Sequence, residues 1–385
     1  MQRYAIAPRA DWRTKVESLG LLFHTTEDGT DAGVPYWSED AYYTLSDADV
    51  QRLESATNEL HARCLDLVQH VIDADRFGEL HVPEPLIPLI RETWETEPPS
   101  LYGRFDLAYD GNGEPKLLEY NADTPTSLLE AAVIQWHWAQ EKFPQADQFN
   151  GIWEALVEMW KRLKAERAFL GAEIHFAHVD EMEDLMTVAV LQDTAQEAGL
   201  VTSSLGIEEI GWDPGSKCFV DLEEMRIWSI FKLYPWEWIA KDDFMPQIAE
   251  TIRETQWMEP AWKAVLSNKA ILPLLWERFP GHPNLLPAYF DGPRGMTDYV
   301  SKPIFGREGA NVTVYRGGQA AASADGPYGT EPLVYQQLAP IRPFDGHTPI
   351  IGSWVIDHAS AGVGIRESRP IITDNFSRFV PHVIQ

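Results

Sequence analysis

The chain has 385 residues, 44% of them hydrophobic and 15 of them Trp, which is enough apolar material for one large core or two or three interlocked ones. Its formal net charge of −28 repels phosphate backbones and anionic lipid surfaces, so neither a nucleic acid nor a membrane is expected as partner. The same field attracts cations, whether metal ions or amines.

Cys64 and Cys218 are too few for a disulfide framework, and neither sits at zinc-ligand spacing. The N-terminus, MQRYAIAPRADWRTK, has no apolar leader, and no run approaches a membrane span. A soluble cytoplasmic protein is expected.

In chain order, residues 46–74 predict a helix. Ser46 stands as N-cap with Asp49 three residues on, ahead of the stripe Leu53, Thr57, Leu60, Cys64, Leu67 and Val71. Residues 86–99 read as helical until Pro98-Pro99 stop them. RFDLAYDGNGEPKLLEYN then gives two strand-like runs around Asp110-Gly111-Asn112-Gly113, a hairpin signal. A further helix is expected from Thr126 or Ser127, carrying Leu128, Leu129, Ala132, Val133 and Trp136. Residues 151–168 are helical by period. The strands EIHFAHV and RIWSIFKLY then alternate with helices over 184–199 and 246–256, the pattern of an α/β layer. From about 260 come a helix, Lys269, and β-rich runs: TDYVSKPIF, NVTVYRG, PLVYQQL, PIIGSWVI and GVGIRES. Linkers are short, so interlocked lobes are expected.

The period of two puts Arg104 and Asp106 on one face of the first hairpin arm, and Glu119 and Asn121 on one face of the second. An even turn centred on Gly111-Asn112 would set 104 opposite 119 and 106 opposite 117. Pro115 lacks an N–H and can force a bulge. Asp, Glu and Asn are hard oxygen donors suited to Mg²⁺, and an adjacent Arg can stabilise a transferring phosphoryl group. The same residues could also form an exposed hairpin with a cross-strand Arg104–Glu119 pair.

In SKPIFGREGANV, Gly306 and Gly309 let the backbone approach an anion, with Lys302 in reach of it. No Lys-Ser/Thr follows the glycines, so this is not a P-loop. Lys269 is the only basic group beside an apolar run from Ala270 to Trp276, either snorkelling or binding phosphate. Gln336-Gln337-Leu338 could hold an adenine edge or be plain sheet.

Taken together, RFDLAYD, LLEYNADTPTS, NKAILPLLWE, VSKPIFGREGANV, YQQL and GSWVIDHASAGVGIRES resemble the synthetase domain of glutathionylspermidine synthase and its stand-alone acid–amine ligase relatives. The similarity runs from about residue 15 to the C-terminus. It implies an α/β (α+β) chain with a permuted ATP-grasp fold and a preceding pre-ATP-grasp α/β lobe, metal ligands coming before the phosphate lysines. It suggests a mainly helical part at 1–100, a lobe at 101–260 with the metal hairpin and substrate region, and a nucleotide lobe at 261–385.

By the resemblance, Arg104, Arg366 and Arg307 are the catalytic arginines. Asp106, Glu119 and Asn121 hold two Mg²⁺ ions, with Glu119 bridging. ATP meets Arg104, Lys269, Lys302, Gly309, Gln336, Gln337, Leu338 and Ile372. Thr124, Thr126 and Ser127 stand where the family binds a peptide-like acid, though the family's cysteine is absent there, which bears on glutathione itself. Glu183 and Asp184 match a pair facing a polyamine-like amine, or they cap a helix.

The implied reaction joins carboxylic acid to amine, with ATP going to ADP and phosphate through an acyl phosphate. Nothing corresponds to the bifunctional synthase's amidase domain, so amide hydrolysis is not expected. A non-catalytic ATP-binding regulator and a phosphotransferase on a carboxylate are the alternatives. The histidines, His358 included, read as incidental.

Overall fold

The computed structural model describes residues 1–26, 33–307, 309–369 and 377–385; Ile372, expected near the nucleotide, lies outside the described residues. Its central feature is an antiparallel sheet in the spatial order Arg378–Val380, Ala359–Ser368, Thr348–Ile356, Tyr102–Ala108, Lys116–Asn121. The predicted hairpin is therefore zipped edge to edge onto a second hairpin from the C-terminal part of the chain.

The hairpin register differs from the one expected. Arg104 pairs with Asn121 and Asp106 with Glu119, and a bulge follows, so that Leu107 pairs with Leu117. Leu118 is the extra residue. Pro115 cannot donate to the ladder, and the Tyr109–Pro115 connection is odd in length. It is tightened by Asp110, whose Oδ1 accepts the Asn112 N–H at 3.0 Å. Because the offset is two residues, the four polar groups keep a common face, while the bulge adds Leu118 to it.

On the opposite face Phe105 and Tyr120 stack at 3.8 Å against the helix Asp47–Asp73. That helix starts as its sequence dictates. Ser46 Oγ accepts the Asp49 N–H at 3.2 Å, while Asp49 Oδ2 accepts the Ser46 N–H at 2.9 Å. Leu53, Thr57, Leu60, Cys64, Leu67 and Val71 are all buried beneath it. The next helix is Leu86–Thr96, and it ends ahead of the two prolines.

Gln256–Met258, Ser229–Leu233, Glu173–His178 and Val201–Gly206 form an all-parallel sheet, and the helices Ile152–Glu166 and Met182–Glu197 belong to the same α/β layer. The helix expected over 246–256 is shorter, Met245–Thr251, and the last expected residue, Gln256, instead opens the strand Gln256–Met258. A third, antiparallel sheet runs Ala288–Tyr289, Leu333–Gln337, Tyr299–Pro303, Thr313–Arg316, Gln319–Ser323. The apolar run after Lys269 is a helix, Ile271–Arg278. Gln2–Ala5 and Ala41–Leu45 join His382–Ile384 in a small sheet that ties the two ends of the chain together.

The helix expected from Thr126 or Ser127 begins at Leu128, after Ser127 at φ 66°. It passes through a π turn at Glu130–Ile134 and continues as Gln135–Lys142. The inserted residue rotates the later side chains, so Trp136 is 39% exposed while Ile134 and Trp138 are fully buried. No helix among the described residues is long and apolar enough to cross a membrane.

Candidate active site

The polar hairpin face, the third sheet and the C-terminal ends of the parallel strands enclose a cleft of about 620 Å³. Its wall includes five basic side chains, Arg104, Lys269, Lys302, Arg307 and Arg366, and five acidic ones, Asp106, Glu119, Glu181, Glu183 and Asp184. In a chain of net charge −28 the wall is thus locally balanced in charge.

Asp106 and Glu119 are direct cross-strand partners, an arrangement that opposes two like charges. The cations around them make it tenable. Arg104 Nε donates to Asp106 Oδ1 at 2.8 Å, and Arg366 Nη2 donates to Asp106 Oδ2 at 2.8 Å. Lys269 Nζ lies 2.9 Å from Glu119 Oε2 and also donates to the Gly306 carbonyl at 2.5 Å. Burial alone would push the Glu119 carboxyl up, but Lys269 and Lys302 hold it well below the usual range, so it stays ionised.

Arg104 is buried at 7% exposure, with Nη1 donating to the Thr126 carbonyl at 2.7 Å. Gly352 makes room for it: a Cβ there would meet Arg104 Cδ at 3.0 Å.

Lys302 donates to the Leu118 carbonyl at 3.0 Å and to Gln336 Oε1 at 2.8 Å, and burial brings its ammonium down to about 8. Gln336 in turn donates through Nε2 to the Leu117 carbonyl at 2.8 Å. Its side chain thus aligns the lysine and braces the bulged strand. Gln337, Leu338 and Ile341 form a slot with Val300, Val312, Val314 and Ile350. Gly309 takes φ 71°, a conformation open to glycine.

Thr124 and Thr126 line the far end of the cleft with Glu183 and Asp184. Ser127 does not: it is buried, its Oγ 3.4 Å from the Tyr36 hydroxyl. Tyr36 donates to Glu130 Oε1 at 2.7 Å. Burial and the neighbouring Glu183 push the Glu130 carboxyl up to about 7.

Sequence reasoning missed Val179, Glu181, Leu233, Pro235 and Trp238, which complete this end. Their common signal is position, at the carboxyl ends of parallel strands, where open α/β sheets place ligands.

The donor set fits a divalent cation sharing a phosphate-bearing ligand. Two carboxylates and the Asn121 amide are hard donors too few to fill an octahedral shell, leaving positions for phosphate oxygens and water.

The sheets and cleft define a mixed α/β protein of the glutathione synthetase-like architecture. The solved glutathione synthetase like-effector from Globodera pallida, in apoform, superposes with a TM-score of 0.58 over 89% of either chain, at 12% identity, a likeness of fold alone. More particularly, the chain belongs to the glutathionylspermidine synthase pre-ATP-grasp family, which matches residues 3–385.

The "Putative acid–amine ligase" of Haemophilus influenzae is 43% identical over 91% of both chains. The trypanothione synthetase of Crithidia fasciculata is 31% identical over 86% of this chain and 58% of its own. The bifunctional glutathionylspermidine synthetase/amidase of Escherichia coli is 28% identical over 89% of this chain and 59% of its own. The chain thus spans somewhat over half of these two larger relatives.

Proposed function

We propose that this protein is an ATP- and Mg²⁺-dependent ligase that joins a carboxylic acid to an amine through an acyl phosphate, on a permuted ATP-grasp scaffold. The observation that carries the reading is the convergence of Arg104, Asp106, Glu119 and Asn121, on one hairpin face, with Lys269 and Lys302 in one cleft. The ligases and synthetases among its relatives support the same class.

In this reading the slot at Gln337, Leu338 and Ile341 receives the adenine, and the triphosphate extends along Lys302 and Lys269 toward the hairpin. Bound at Asp106, Glu119 and Asn121, two Mg²⁺ ions would supply charge neutralisation for the triphosphate. The acid carboxylate, held near Thr124 and Thr126, attacks the γ-phosphorus as ADP leaves. Arg104, Arg366 and Arg307 stabilise the charge that spreads over the phosphoryl oxygens. The amine, drawn by Glu183 and Asp184, then attacks the acyl carbon and phosphate departs. No protein nucleophile takes part, so positioning and charge carry the rate.

The test is phosphate release by purified protein over a panel of carboxylic acids, with and without amines. Release that requires both partners is the expected result. An acyl phosphate accumulating on acid alone indicates a phosphotransferase instead. ATP binding without release under any condition indicates a regulator and defeats the ligase reading.

A further inference from the structure

Arg307 follows Gly306 on the nucleotide side of the cleft, yet its guanidinium crosses to the opposite wall. Nη2 donates to Glu237 Oε1 at 2.6 Å, Nη1 donates to Thr124 Oγ1 at 3.2 Å, and the Trp238 ring lies 5.4 Å away. These bonds occupy two of the five N–H donors of a guanidinium. A small cavity of about 20 Å³, room for one water, is lined by Asn121, Thr124, Lys269 and Arg307, so Arg307 shares a space with the metal face and a phosphate lysine.

Glu237 does not line the cleft. It is 8% exposed and sits in the turn Trp236–Ile239, directly after the parallel strand Ser229–Leu233. That turn is held from below. The Trp236 N–H donates to Asp123 Oδ2 at 2.9 Å, and Asp123 Oδ1 accepts from Lys232 Nζ at 2.6 Å, all of it buried. The Trp236 indole N–H donates to the Glu259 carbonyl at 2.9 Å. A long, flexible arginine on a glycine-flanked loop is thus tethered to a carboxylate fixed on a rigid frame.

We propose that Glu237 is a positioning residue for the acid half-reaction. With Thr124 it holds the Arg307 guanidinium so that its permanent charge meets the anion formed where acid and γ-phosphoryl combine. Arg307 would otherwise sweep the loop side of the cleft. Glu237 therefore acts on the acid step and not on ATP affinity. The inference rests on the ligase reading above.

The experiment compares Glu237→Ala, Glu237→Gln, Arg307→Ala and the Glu237→Ala/Arg307→Ala pair, using an acid and amine that support wild-type phosphate release. Glu237→Ala should lower kcat/KM for the acid by about 10- to 100-fold, while affinity for a non-hydrolysable ATP analogue stays within about 3-fold. Glu237→Gln, whose amide oxygen still accepts the bond, should recover part of the loss. The double variant should be no worse than Arg307→Ala alone, since Glu237 works through that side chain.

A second readout needs no turnover. Trypsin should cut after Arg307 about 10-fold faster in ligand-free Glu237→Ala than in wild type, because the tether is gone. Additive losses in the double variant, a matching loss of ATP-analogue affinity, or equal cleavage rates would each overturn the inference while leaving the ligase reading intact. Failure of the wild type to turn over any acid–amine pair sinks the ligase reading, and this inference with it.

Discussion

Glu119 keeps its charge in a place where burial would strip it, and the reason is a neighbour. Lys269 comes from a different part of the chain to stand 2.9 Å away, and Lys302 adds to the same field. Arg104 pairs with Asp106, directly beside it on the strand face, its Nε donating to Oδ1 at 2.8 Å. Its task in the proposed reaction is to meet charge that appears only as the phosphoryl group moves. Arg104→Ala should therefore lower kcat by about 100- to 1,000-fold, a loss typical of removing one such donor. Affinity for an ATP analogue should stay within about 3-fold, and titration calorimetry beside steady-state phosphate release separates the two. A comparable collapse in affinity would reassign Arg104 to ground-state binding. These residues were legible because a strand's period of two is a strict rule. The register offset of two residues kept every one of them on the same face.

The helix starting at Leu128 shows where periodicity fails. Its apolar residues fit an uninterrupted helix, and nothing in their spacing announces the π turn at Glu130–Ile134. That turn buries Glu130 behind the end of the cleft lined by Thr124, Thr126 and Glu183, facing Tyr36 and near Ser127, Glu183 and Arg104. The folded carboxyl titrates at about 7, against an ordinary value near 4.5. The folded protein therefore holds a proton there that the unfolded chain releases. This term weakens stability as pH rises from about 4.5 to about 7, by on the order of 3 kcal/mol in all. Glu130→Gln removes the titration. Its Tm should exceed that of wild type by a margin that widens between pH 5 and pH 8. A margin independent of pH would show that Glu130 is not held protonated. The helix Asp47–Asp73 makes the contrast, since its cap and stripe are both local and were readable in full.

At the scale of the molecule, the cleft exists because distant segments are locked together. The chain leaves the hairpin at Asn121 and two residues later is anchored to the parallel sheet by the Asp123–Lys232 pair at 2.6 Å, both side chains fully buried. Removing one partner of such a pair leaves a buried, uncompensated charge. Asp123→Ala should cost about 3–5 kcal/mol in chemical denaturation, and also disturb the turn that carries Glu237. A loss below about 1 kcal/mol, the range of an exposed pair, would show that the pair is not a joint between the sheets. The pairing of Tyr102–Ala108 with Thr348–Ile356 does the same work on the other side, joining the first hairpin to the C-terminal part of the chain in one sheet.

Read alone, the chain revealed what depends on near neighbours: a capped helix, an alternating hairpin, a glycine-rich turn, and the donor types that suit a phosphate and a divalent ion. It could not place Gln336 under Lys302, send Arg307 across to Glu237, or bring Leu233, Pro235 and Trp238 to the cleft wall. The first two of those arrangements join residues 34 and 70 positions apart, and Arg366 reaches Asp106 over 260. At such separations no helical or strand period connects the partners. The pairings follow from which polar groups the packed core leaves without water, and burial of that kind is settled only when the sheets close on one another.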